Sequence, residues 1–360
     1  LAGVAYLNAG TNGPLPRAAA EAMRLELTAS ADQPRITRAA FDGMFAVRDR
    51  ARAALARSVA APPEQVALTS STTQGLGLVV AGVDWRPGDE VLTTTEEHQG
   101  LLSPLEVIGR RHGVVVRKLP ADEIGAAIGP RTRMVAVSHV LWTTGRVLDL
   151  AALAAACREH DALLLADGAQ SAGAIAVDAP ASGADFYAFS GQKWLLGPQG
   201  SGGLWVAPSR VEELWPAVSG YLNLEQGQVG VYKSTAGKFD GGSVDTVTLA
   251  GIAAAIEWVE SLPGGRAAWL DQTGQQAERA RTRLASVPGV HVNDPGPDRA
   301  PLIALSVEGA GDLPALMAML AERGVLVRYI PGTPYLRVSI GAWTTDEDVE
   351  RLIAALPGGG

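Results

Sequence analysis

Short apolar runs alternate with helix-forming stretches through the middle of this chain, and few folds accommodate that alternation. Val66–Thr69, Glu90–Thr93, Val114–Lys118, Met134–Ser138, Leu163–Ala166 and Phe186–Phe189 read as strands. Segments between them, such as Leu150–His160, are long and helical enough to be the crossovers that parallel pairing demands. The pattern predicts a doubly wound α/β layer of parallel strands with helices on both faces.

After Asp245 the pattern changes. Two long helical stretches, TLAGIAAAIEWVESL and AAWLDQTGQQAERARTRLASV, lead into shorter elements. LIALSV, VLVRYI and YLRVSI read as strands, LPALMAMLAERG and TTDEDVERLIAAL as helices, the last opened by a capping box from Thr344 to Glu347. The opening YLNAGTNGPLP reads as loop and the terminal PGGG as unstructured. We therefore expect a large α/β domain over 15–245, and a smaller α+β domain made of 1–14 and 246–360 that includes the linking helix.

With 360 residues, 47% of them apolar, the chain can bury a substantial core. A formal net charge of -8 offers no basic field for phosphate backbones or anionic lipids, so nucleic-acid and membrane partners are not expected. No run of some 18 apolar residues appears, although a chain starting at Leu1 is consistent with trimming. Cys157 is the only cysteine, so no internal disulfide forms and a cytoplasmic address is the default. No metal site is expected.

Three motifs follow predicted strands, where ligands collect in open α/β sheets. Ser70-Ser71-Thr72-Thr73-Gln74-Gly75 puts hydroxyls and free N–H groups at a helix start, which suits a phosphate, although Ser and Thr also cap helices for structural reasons alone. In LLLADGAQS an apolar strand delivers Asp167. A carboxylate leaving a buried strand needs a partner, for which a protonated pyridine nitrogen and a structural salt bridge are both acceptable. In ADFYAFSGQKW a strand delivers Ser190, Gly191, Gln192 and Lys193. A lysine held in a pocket is a nucleophile and proton shuttle, whereas most lysines are solvated surface charges.

The pairing of ADGAQS with SGQKW, in this order, resembles the class V aminotransferase family of fold-type I pyridoxal-phosphate (PLP) enzymes, which includes cysteine desulfurase-like and isopenicillin N epimerase-like proteins. The resemblance covers essentially the whole chain. It implies a large mixed, mainly parallel sheet domain, a smaller α+β C-terminal domain and pyridoxal 5'-phosphate as cofactor. Lys193 then matches the Schiff-base lysine and Asp167 the partner of the pyridine nitrogen. Gln170 matches the contact to the ring's phenolic oxygen, and His98 matches the stacking histidine. Ser71, Thr72, Thr73, Ser190 and Gln192 match phosphate contacts. Arg337 matches the fork for the substrate α-carboxylate, and Asn8 is a second substrate candidate. Gly242 and Ser243 resemble a Gly-Thr pair that reaches a neighbouring subunit's phosphate, which implies a homodimer with shared active sites. Two departures stand out. Gln192 replaces the usual His before the lysine, and in SHVLWTTG Trp142 replaces a cofactor-contacting Asn.

Such a site acts on a small-molecule amino acid. The tail lacks Cys, and Cys157 falls in a predicted crossover helix as a core residue, so desulfuration through an enzyme thiol is not expected. With Lys193 as the base at Cα, the leading expectation is carbon-sulfur β-elimination from a cysteine S-conjugate, ahead of transamination or epimerisation. Arg328 and Tyr329 could supply a second polar contact. Tyr6, Trp142, Tyr221, Tyr232, Tyr335 and Trp343 are candidate pocket walls. A PLP-binding regulator and a binding module with an incidental Lys193 are the non-enzyme alternatives.

Overall fold

The computed structural model describes residues 3–225, 228–240 and 245–357. The chain enters through β1 (Ala5–Tyr6) and lays down two helices, α1 (Arg17–Asp32) and α2 (Arg38–Ser58). Then come β2 (Val66–Thr69), α3 (Thr72–Gly82), β3 (Glu90–Thr94), α4 (Gln99–His112), β4 (Val115–Leu119) and α5 (Ile124–Ala127). β5 (Thr132–Ser138), α6 (Leu150–Glu159), β6 (Leu163–Asp167), β7 (Phe186–Ser190) and β8 (Gly202–Val206) complete a seven-stranded sheet of order β2-β8-β7-β6-β5-β3-β4.

β4, β3, β5, β6 and β7 pair in parallel, whereas β8 runs antiparallel to both β7 and β2. The sheet is therefore mixed and mainly parallel. GGLWV was not expected as a strand, because two glycines weaken strand propensity. Here they are required by close packing. A Cβ at Gly203 would lie 2.5 Å from the Phe189 ring, and one at Gly202 would lie 2.6 Å from the Phe189 carbonyl.

The parallel strands are apolar on both faces because helices cover both. In β6, Leu163 and Leu165 belong to one core cluster while Leu164 and Ala166 belong to the other. Each buried leucine contributes about 1.5–3 kcal/mol. The sequence pattern marks no elements between residues 15 and 65, where α1 and α2 stand against the later helix Thr246–Ser261.

The remainder comprises α7 (Thr246–Ser261), α8 (Gly265–Ala285), β9 (Val290–Val292), β10 (Leu302–Val307), α9 (Leu313–Glu322), β11 (Val325–Leu326), β12 (Arg328–Tyr329), β13 (Leu336–Ser339) and α10 (Asp346–Ala355). β12-β13-β10-β9 form an antiparallel sheet. Two expectations need correction here. VLVRYI is not one strand: it splits at Val327, with β11 joining β1 in parallel and β12 joining β13. The capping box lies one residue later than expected, between Thr345 and Asp348, because the Thr344 hydroxyl accepts the Gly341 N–H at 3.1 Å. Among the described residues no helix is long and apolar enough to cross a membrane.

A buried ion cluster anchors the segment before α7. Asp240, 0% exposed, accepts from Arg48 at 2.8 Å, from Arg52 at 2.6 Å and from the Leu68 N–H of β2 at 2.9 Å. Removing one member of such a cluster strands the others without a counter-charge. Asp240→Ala is thus expected to lower unfolding stability by about 3–5 kcal/mol, measured by urea denaturation. A loss below about 1 kcal/mol would show the cluster to be dispensable.

Candidate active site

Four strands end at one edge of the large sheet and deliver the expected side chains together. β2 leads into Ser71, Thr72 and Thr73, β5 ends in Ser138, β6 ends in Asp167, and β7 ends in Ser190, followed by Gln192 and Lys193. All of these line one cavity of about 270 Å³, with His98, Gln170, Trp142, Arg328 and Arg337. A larger open groove of about 650 Å³ runs between α1, α2 and α7, but Glu257 in its wall pairs with Arg50 and the Ser261 hydroxyl is tied to the Trp258 carbonyl at 2.7 Å. The chemistry belongs to the smaller cavity.

Lys193 is half-buried, and burial of its amine, with Arg337 contributing in the same sense, pulls it down to about 8 against the opposing attraction of Asp167. Burial likewise raises Asp167 above the usual carboxylate range, opposed by the Ala169 N–H and by Lys193. The Ala169 N–H donates to one Asp167 oxygen at 2.8 Å. The Gln170 amide donates to the Gly10 carbonyl at 2.8 Å and accepts from the Trp194 indole at 2.9 Å, leaving one amide hydrogen uncommitted.

At the other end of the cavity two helices begin. The Ser71 hydroxyl caps α3 by accepting from Gln74 N–H at 3.1 Å, and His98 caps α4, its Nδ1 accepting from Gly100 N–H at 3.0 Å. A Cβ at Gly100 would lie 2.6 Å from the Thr73 hydroxyl, so glycine lets the two helix starts meet. Thr72 Oγ1, Ser190 Oγ and Gln192 Oε1 are buried with no hydrogen-bond partner among the described residues. Unpaired hydroxyls beside a helix N-terminus are the donor set an organic phosphate requires. These unpaired donors, together with Lys193 and Asp167 in the same cavity, fit the chemistry of PLP.

His98 keeps an exposed edge, yet crowding around its ring, followed by the positive charges of Lys193, Arg337 and Arg328, pushes it down to about 4. It is neutral at physiological pH. Its ring meets Trp142 edge-on at 5.0 Å between centroids. Trp142 lines the cavity beside His98, and its own Nε1 has no partner among the described residues.

Arg337 sits on β13 between Leu336 and Val338, which face the core, so strand alternation turns it the opposite way. It is 2% exposed. Its Nη1 donates to the Trp142 carbonyl at 3.0 Å, its Nη2 to Thr11 at 3.5 Å, and its Nε has no partner among the described residues. Burial, and then the charge of Arg328, press its proton affinity below the ordinary guanidinium value. Among the described residues no carboxylate pairs with Arg337 or Arg328.

Asn8 does not line the cavity. Its Oδ1 accepts from the Thr11 hydroxyl at 2.8 Å and its backbone bridges to Ser339, so it supports Gly10 and Thr11, which do line it. Gly10, Thr11, Gly100, Val140 and Ala169 were not anticipated; the two glycines of AGTNG were the available signal. A Cβ at Gly13 would lie 2.2 Å from the Lys193 carbonyl, and one at Gly10 would lie 2.9 Å from Arg337. Gly242 and Ser243 lie outside the described residues. Of the six candidate aromatics only Trp142 lines the cavity; Tyr6 is held to the Asn12 carbonyl at 2.8 Å and Trp343 to the Tyr6 carbonyl at 3.1 Å. Cys157 is buried in α6, and burial pushes its thiol up to about 12. Among the described residues no cluster of His, Cys, Asp and Glu could hold a metal.

A fold with crossover helices, a buried lysine and aspartate at the sheet edge, and a phosphate cradle beside them defines a PLP-dependent enzyme of fold type I. The aminotransferase class-V family model matches residues 5–352, and the chain belongs to that family. It is 31% identical to a probable cysteine desulfurase of Pseudomonas aeruginosa, over 98% of this chain and 93% of that protein. It is 32% identical to the isopenicillin N epimerase of Streptomyces clavuligerus, over 98% and 94%. Among solved structures, the cystine C-S lyase C-DES in complex with its product cysteine persulfide superposes with a TM-score of 0.93 at 29% identity, covering 98% of this chain and 97% of that one. A C-DES variant carrying glycine covalently linked to its PLP cofactor matches equally well, at a TM-score of 0.93. Pyridoxal 5'-phosphate is the cofactor.

Only the neutral amine captures an aldehyde, so the downward shift of Lys193 sets a pH window. The rate of PLP capture by cofactor-free protein, followed by visible absorbance, is expected to rise with pH through about 8. A midpoint near the ordinary lysine value of about 10.4 would show that the amine is not buried as described.

Proposed function

We propose that the protein is a carbon-sulfur β-lyase acting on a cysteine S-conjugate, and that Lys193 is its base at Cα. The observation that carries this reading is the lack of any thiol at the site, since the only cysteine of the chain is buried in α6. Sulfur must then leave on the product. The likeness to a cystine C-S lyase supports the same choice.

When bound, the cofactor supplies an electron sink that acidifies the Cα proton and loosens the Cβ–S bond. Arg337 grips the α-carboxylate and holds the Cα–H within reach of Lys193, which takes the proton as neutral amine. Asp167 presents its free oxygen to the pyridine nitrogen, and the neutral His98 ring restricts the cofactor's tilt. The thiolate departs and takes up a proton, and hydrolysis of the released enamine yields pyruvate and ammonia. Overall, one S-conjugate and one water give a thiol, pyruvate and ammonium.

Arg328 refines the substrate class. It lines the same cavity as Arg337 with no carboxylate partner among the described residues, and its charge disturbs both Arg337 and His98. Two free guanidinium groups suit a substrate with two carboxylates, as in a disulfide or thioether of two amino acids.

The enzyme works in this reading as a cytoplasmic homodimer with sites shared through Gly242 and Ser243. Exposed Leu25, Leu27, Ile36, Phe41 and Phe45 on and between α1 and α2 support a covered face. The parallel pairing of β1 with β11 supports assigning 1–14 to the smaller domain.

Borohydride reduction should trap PLP on wild-type protein, and Lys193→Ala should abolish both that adduct and turnover. Incubation with cystine and with S-alkylcysteines should release thiol or persulfide and pyruvate in equal amounts. Keto acid of unshortened side chain without thiol would instead establish a transaminase, and inversion at Cα alone an epimerase. Arg328→Gln is expected to lower kcat/KM for cystine roughly tenfold or more while changing a monocarboxylate S-alkylcysteine by about threefold or less. Equal losses on both substrates would remove Arg328 from the substrate contacts.

A further inference from the structure

The loop between β3 and α4 places two acids, Glu96 and Glu97, directly before His98. The chemistry above uses neither, yet both are tied to the β5 exit. Glu97 is 6% exposed. One of its carboxylate oxygens accepts from the Thr94 hydroxyl and from the Ser138 N–H, each at 2.9 Å, and the other accepts from the Ser138 hydroxyl at 2.5 Å. Glu96 accepts from the Thr143 hydroxyl, next to Trp142.

Ser138 closes β5 and stands in register beside Asp167 on β6, while the His139 N–H donates to the Asp167 carbonyl at 2.9 Å. One buried carboxylate therefore ties the His98 loop to the strand edge that carries Asp167. Holding a loop does not need a charge here. Burial and the neighbouring charge of Asp167 push Glu97 up to about 7, so the carboxylate is retained at a cost that an amide would avoid. An amide keeps the oxygen that accepts from Thr94 and from the Ser138 N–H but puts an N–H donor in place of the other, which forces the Ser138 hydroxyl to turn and accept instead of donate.

We propose that Glu97 is a positioning residue that sets the tilt of the cofactor ring, by fixing the His98 loop and the Ser138–Asp167 edge to a single carboxylate. The inference rests on the reading of His98 and Asp167 as the two contacts of that ring. It predicts that disturbing Glu97 reorients a cofactor that is still bound, and does not merely loosen the protein.

The test uses the full chain saturated with PLP, as wild type, Glu97→Gln and Thr94→Val. Thr94→Val keeps the shape, removes one of the three donors and lies outside the cavity. Visible circular dichroism per bound cofactor, the Kd for PLP and the melting temperature without added cofactor are measured. Glu97→Gln is expected to change the visible ellipticity per cofactor by about twofold or more and to raise Kd roughly tenfold. Thr94→Val should shift both in the same direction by less. Altered melting with unchanged ellipticity per bound cofactor would mean a purely structural role and overturns the proposal. If Glu97→Gln does not fold, Thr94→Val decides on the same criterion. A wild type without a visible band overturns the underlying cofactor contacts, and this inference with them. A wild-type band that both variants reproduce overturns this inference alone.

Discussion

Uncompensated positive charge in a small cavity is the constraint on which the rest of this structure depends. Lys193, Arg337 and Arg328 face one space of about 270 Å³, and Asp167 is the only acid among the described residues that line it. The downward shifts of Lys193, His98 and Arg337 share this origin, since burial and mutual repulsion act on all three. Without ligand the arrangement costs several kcal/mol. A phosphate and a carboxylate are the kinds of charge that offset it. The protein is built for a complex more than for its empty form.

Holding like charges together requires stiff support, which the chain provides by close backbone approach instead of extra ion pairs. Gly10 and Gly13 let the N-terminal segment run against Arg337 and the Lys193 carbonyl, and Gly13 N–H donates to the Gln192 carbonyl at 2.8 Å. Gly100 lets two helix starts converge. At each of these points a methyl group would force atoms apart by a sizeable fraction of an ångström or more, so the position of the charges is fixed by sterics that titration cannot relax.

What could be read from the sequence was whatever is local. A hydrophobic strand followed by a polar residue announces Asp167, Lys193 and the Ser71–Thr73 cradle, because strand ends and ligand contacts coincide in open α/β sheets. Arg337 was a candidate through the family resemblance, and its place on β13 between the core residues Leu336 and Val338 turns it away from that core. What was not legible depends on distant partners. β8 looks too rich in glycine until Phe189 is placed against it. Thr344 and Thr345 each have an acid three residues on, and only the Gly341 contact decides which one caps α10. VLVRYI is locally one strand, yet two different sheets claim its halves. Asn8 was a substrate candidate, and its side chain accepts from Thr11 outside the cavity lining. Glu97 carried no local mark, since its three donors come from two other strand ends.

The division of labour between the two sheets bears on how one frame serves different reactions. The edge of the large sheet supplies Lys193, Asp167 and the phosphate cradle, which any PLP enzyme of this fold needs. The smaller sheet supplies Arg337 and Arg328, which line the same cavity. Relatives with a desulfurase or an epimerase name match along nearly the whole chain at about the same identity, so similarity of the frame cannot choose among reactions. The choice lies in what else reaches the cavity. Here that is a second guanidinium group, a tryptophan edge against the histidine and no thiol, a set suited to releasing sulfur with the product and not to taking it onto the protein.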